Sequence, residues 1–98
     1  MYIIIVVKYF DWDDEKNKWL MENRGVSFEM CVTIIERGEV LAVEDNHPPY
    51  SHQKVYIIMI NNYCCEVPHI VEGDKIFLKT IYPSHEAMKK YLNNEYDK

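Results

Sequence analysis

A chain of 98 residues with an apolar fraction of 48%, rich in Ile, Val and Tyr, makes one domain around one core and excludes a disordered polymer. The formal net charge of −5 excludes holding nucleic acid by bulk electrostatics alone. It leaves a basic partner, or a local basic patch inside an acidic envelope. Cysteines number three, and the adjacent pair Cys64 and Cys65 is poorly placed to bridge, so with no secretory signature a reducing, cytoplasmic setting is expected.

The opening MYIIIVVKYF has no basic n-region, no small-residue cleavage site and too few apolar residues to span a bilayer. Tyr2 to Phe10 is therefore expected to be a first strand, and no membrane is implicated. Asp13, Asp14 and Glu15 then put acids where a helix N-terminus favours them, and the spacing predicts a helix through Trp19 and Leu20 to about Arg24, stopped by Gly25. Ser27 is the expected N-cap of a second helix, with Val26 and Cys31 at the staple positions. Phe28, Cys31, Val32 and Ile35 form its apolar stripe, and Gly38 ends it.

The remainder reads as a β-meander. Glu39 to Glu44 is one strand, and Lys54 to Ile60 is apolar on both faces, hence central. Between them, residues 46 to 53 form the one long polar loop. Asn61-Asn62 suits a tight turn at positive φ, and Tyr63 to Val71 returns with Pro68 expected to impose a bulge or break. Gly73-Asp74 turns the chain again into a last strand, Lys75 to Tyr82. Pro83-Ser84 ends it, and a helix from His85 to about Asn93 turns Met88, Tyr91 and Leu92 inward. The order β-α-α-β-β-β-β-α, with a mainly antiparallel sheet and the two N-terminal helices on one face, is an α+β fold.

The segment FDWDDEKNKWLMENRGVSFE resembles the N-terminal signature of BrnT-type toxins, where an F-x-W-D turn leads into a Lys-bearing helix closed by Gly-Val-Ser-Phe. Phe10, Trp12, Asp13, Lys16 and the run Gly25 to Phe28 match it, and Ala87 and Tyr91 match the A-x-x-x-Y of the family's last helix. The resemblance covers roughly Lys8 to Leu92. It implies a RelE-like fold, a toxin role in a type II toxin–antitoxin pair, and neutralisation by a small ribbon-helix-helix antitoxin. RNA would be the substrate, and operator DNA would be reached only through the antitoxin. The chain departs from the pattern at Asn23-Arg24, where the family usually has Lys-His, and at Ser84-His85, near which it commonly places an Arg.

Cleavage of RNA without a metal or other cofactor needs a base, an acid and a cation at one phosphate. His85, at the first turn of a helix, is the candidate base; Lys79 would stabilise charge; Tyr82 would stack on a base or donate a proton; Arg24 would clamp a phosphate. Lys16, Lys54 and Lys89 are the candidate RNA-binding cations. Each also has a purely structural reading: His85 as a solvated helix start, Lys79 as the polar side of a strand, Tyr82 as core beside Ile76 and Leu78, Arg24 as partner of helix-end carbonyls, and Lys16 lying over Trp12 or Trp19. The histidines His47, His52 and His69 and the three cysteines show no metal-ligand spacing, so no metal is expected. Glu44, Asp45, Glu72 and Asp74 gather at turns, where such charges are usually solvated loop ends; in a toxin they could also receive a basic antitoxin segment. The competing reading is a non-catalytic binding module of the same fold that pairs with a DNA-binding partner.

Overall fold

The computed structural model describes residues 8–92, and the greater part of the expected Tyr2 to Phe10 strand lies outside them. The elements are β1 (Tyr9–Trp12), α1 (Asp14–Arg24), α2 (Phe28–Glu36), β2 (Val40–Asp45), β3 (Lys54–Ile60), β4 (Tyr63–Glu72), β5 (Lys75–Leu78), β6 (Tyr82–Pro83) and α3 (His85–Leu92). The strand expected to end at Phe10 thus runs on through Asp11 and Trp12.

Local chemistry sets the helix limits. Asp13 accepts from the backbone N–H groups of Glu15 and Lys16, and Gly25 closes α1 at φ +67°, a left-handed conformation that costs glycine little. Ser27 accepts from the Met30 N–H to open α2. The Ser84 hydroxyl accepts from Ala87 N–H at 3.1 Å and opens α3. Asn61 and Asn62 both adopt positive φ, 53° and 66°, and join β3 to β4 in the two-residue turn expected there.

The sheet runs β1-β5-β4-β3-β2, with β6 added to β4. The β1–β5 pair is parallel and every other pair antiparallel, so the sheet is mixed and the fold α+β. Alternation along β3 feeds two cores. Ile58 and Ile60 join Leu20, Phe28, Cys31 and Leu78 under α1 and α2. Val55 and Ile57 join Cys64 and Ala87, with Met88, Tyr91 and Leu92 packed against them. The third helix therefore covers the face opposite the first two, and Cys64 and Cys65 are buried on opposite sides of the sheet.

Two details differ from expectation. Pro68 produces no bulge against β3, since the register is continuous from Lys54↔His69 to Ile60↔Tyr63. Its carbonyl accepts from Lys79 N–H, so its donorless nitrogen faces the same side, where β4 exchanges β5 for β6 as neighbour. The expected strand from Lys75 to Tyr82 is also divided. Ile76, Leu78 and then Ile81 are buried in one core, and the change of spacing from two residues to three cannot fit an unbroken strand.

Candidate functional site

The break after Leu78 shapes the site. Its residues Lys79, Thr80 and Tyr82 form part of the wall of a cavity of about 540 Å³, completed by Lys16 from α1 and by His47 and Tyr50 from the β2–β3 loop. Three of the expected site residues thus meet at one cavity, Lys79 and Tyr82 from the segment after Leu78 and Lys16 from distant α1. Lys16 also lies over the Trp19 ring, its Nζ 4.5 Å from the centroid, so the cation covers an exposed indole. Lys79 similarly approaches Phe77 at 5.4 Å.

Tyr82 does not pack with Ile76 and Leu78. The strand break reverses its phase and pairs it with Glu66, whose side chain stands on the opposite face from that core. The Tyr82 hydroxyl donates to Glu66 Oε1 at 2.9 Å, and the Ser84 hydroxyl donates to Oε2 at 2.6 Å. Burial first, and then the bond to Glu66, push the Tyr82 phenol up to about 12. The hydroxyl is therefore held protonated, while the ring stays available to the cavity. Glu66 was not singled out in the sequence, although a carboxylate between Cys65 and Val67 in an otherwise apolar strand is a legible signal.

Arg24 lines a neighbouring cavity of about 310 Å³ that shares Tyr82 with the first. Its Nη1 donates to the Ile81 carbonyl at 2.5 Å, and its guanidinium lies 4.9 Å from the Trp19 centroid. It answers a carbonyl, as its structural reading held, but that carbonyl lies in the β5–β6 link rather than at its own helix end. His85 begins α3 with an exposed side chain and lines neither cavity. Lys54 pairs with Asp45 at 2.5 Å on the surface. Lys89 lines a third cavity, of about 400 Å³, whose wall carries Glu44, Glu66 and Glu86.

The acids at the turns are largely answered from within the chain. Asp45 holds Lys54, Glu72 lies 3.8 Å from Lys75, and Glu44 accepts from Lys90 at 2.8 Å and from the Tyr91 hydroxyl. The bond from Lys90, then that from Tyr91, hold the Glu44 carboxyl below the usual range. Among the described residues no group of three or more His, Cys, Asp or Glu side chains is placed to hold a metal ion. Desolvation raises the Cys31 thiol to about 12 and the Cys65 thiol to about 11, and raises Cys64 as well, so all three behave as small hydrophobes rather than nucleophiles. His69 is buried with its ring stacked on Tyr56 at 3.8 Å, and its Nδ1 donates to the Val67 carbonyl. Burial lowers its pKa and favours the neutral ring.

Cations beside aromatic rings in an open cavity form a surface suited to single-stranded nucleic acid, the rings offering faces to bases and the ammonium groups meeting phosphates. Among the described residues no helix is long and apolar enough to cross a membrane. The chain matches no protein-family model, no curated protein and no solved structure.

Proposed function

We propose that this chain is a BrnT-like toxin of RelE-like fold, a cytoplasmic endoribonuclease that blocks translation and is neutralised by a small ribbon-helix-helix antitoxin. The observation that carries the reading is the convergence of Lys16, Lys79 and Tyr82 on one cavity. RNA cleavage needs cations at the phosphate and a ring for the base, and this cavity offers both inside a chain whose net charge is −5. Arg24 supports the site indirectly, by holding the Ile81 carbonyl just before Tyr82.

A second reading, a non-catalytic module that pairs with a DNA-binding partner, is favoured by two observations. His85 lines none of the three cavities, and the Tyr82 hydroxyl is already committed to Glu66. Induced expression separates the two, with and without the adjacent reading frame. The toxin reading expects growth arrest that the neighbour relieves and that Lys16→Ala/Lys79→Ala abolishes at unchanged protein level. Arrest that persists in the double variant contradicts the site, and absence of arrest in the wild type favours the binding module.

A further inference from the structure

The cavity containing Lys16, Lys79 and Tyr82 is also lined by an imidazole, that of His47. It is exposed at the start of the β2–β3 loop, and its position is fixed by the loop's own hydrogen bonds. Tyr50 N–H donates to the His47 carbonyl at 2.7 Å, Gln53 N–H to the Tyr50 carbonyl at 2.9 Å, and Asn46 N–H to the Gln53 carbonyl at 3.0 Å. The His47 N–H donates to the Asn46 side chain at 2.9 Å. An eight-residue excursion is thereby folded back on itself, and His47 leaves it at a constrained point.

His47 forms part of the wall of two cavities. On one side it shares the wall with Lys16, Lys79, Tyr50 and Tyr82. On the other it shares it with Glu44, Glu66, Glu86, Lys89, Lys90 and Tyr91. On that second wall Glu44 already accepts from Lys90 and from the Tyr91 hydroxyl. An imidazole at the junction of a cavity that carries two lysines and a cavity that carries three carboxylates is placed to exchange a proton with a ribose-phosphate group held there.

We infer that His47, and not His85, is the catalytic base of the RNA-cleavage site, an inference that rests on the toxin reading of this cavity. His47 takes the proton of a ribose 2′-hydroxyl as that oxygen forms a bond to the adjacent phosphorus. The bond from phosphorus to the 5′-oxygen breaks, and the departing oxygen takes a proton from the Lys79 ammonium. The products are a 2′,3′-cyclic phosphate and a free 5′-hydroxyl, with neither water nor a metal consumed. The imidazolium and the amine return to their resting states by exchange with solvent.

The test compares wild type, His47→Ala, His47→Gln and His85→Ala in a cell-free translation reaction containing a chelator, with cleavage read as 5′-hydroxyl ends on the messenger. Both His47 variants are expected to lose about 100-fold or more in cleavage rate. Their affinity for a short single-stranded RNA should stay within a few-fold of wild type, and their melting temperatures should not change, because the side chain is exposed on a loop. Residual cleavage in His47→Gln should lack the acidic limb of the wild-type rate–pH profile, which a merely structural role would leave in place. Wild-type cleavage by His47→Ala overturns the assignment of the base while leaving the RNA site standing, as does a loss confined to His85→Ala. A wild-type protein that binds the RNA but cuts no messenger overturns the base assignment and the nuclease reading together.

Discussion

Asn17 shows how much one side chain decides here. It is buried in α1, where its Oδ1 accepts from Phe28 N–H at 2.7 Å and its Nδ2 donates to Glu29 Oε1 at 2.8 Å. It thus satisfies the first turn of α2 from outside that helix and fixes the angle between the two. Asn17→Ala strands a buried N–H and should cost about 1–3 kcal/mol in urea unfolding, an effect absent at the exposed neighbour Lys18. Nothing in the local pattern announced this role, because an Asn at mid-helix ordinarily reads as a weak helix former. Glu44 gives a residue-scale pH prediction. Its carboxyl is held low by Lys90 and Tyr91, so the stability it contributes is present above the ordinary carboxylate value and is lost as pH falls through the lower folded-state value. Tyr91→Phe should therefore lower the melting temperature at neutral pH, and the difference from wild type should shrink below about pH 4. A difference that is constant from pH 7 to pH 3 contradicts the pairing.

Among the elements, those defined by short-range chemistry were legible. Asp13, Gly25, Ser27 and Ser84 act at the positions their residue types imply, because caps and stops involve neighbours within one turn. The Asn61-Asn62 turn belongs to the same class. Replacing Asn62 by Val at φ 66° should cost about 1–2 kcal/mol, whereas Asn62→Gly should leave stability unchanged or raise it; chemical denaturation of the pair checks the sign. What depends on distant chain was not legible. The parallel pairing of β1 with β5 joins residues on either side of both N-terminal helices, and α3 crosses to the opposite face. The division of the last strand could have been read from the spacing of Ile76, Leu78 and Ile81. One alternating run over KIFLKTIY places Tyr82 in the layer of Ile76 and Leu78, whereas the divided strand puts it in the layer of Glu66. The site itself was legible in part. Lys16, Lys79 and Tyr82 do line one cavity, while His47 carries no local signal of its place beside them, which depends on how the loop folds back.

For the whole molecule, the acidic balance and the cationic cavity coexist because most turn carboxylates hold cations of their own. Lys16 and Lys79 line the cavity of a chain whose formal net charge is −5. The arrangement predicts weak general affinity for duplex DNA together with measurable affinity for single strands, where stacking adds to charge. Single-strand recognition by this cavity is measured by fluorescence anisotropy of a short single-stranded RNA against wild type and Lys16→Ala/Lys79→Ala over a range of salt concentrations. Binding should weaken with salt and be at least tenfold looser in the double variant, with the salt slope reduced by about 0.7 for each phosphate no longer neutralised by a lysine. Wild-type binding that is absent, or that is unchanged in affinity and slope by the double substitution, contradicts that recognition.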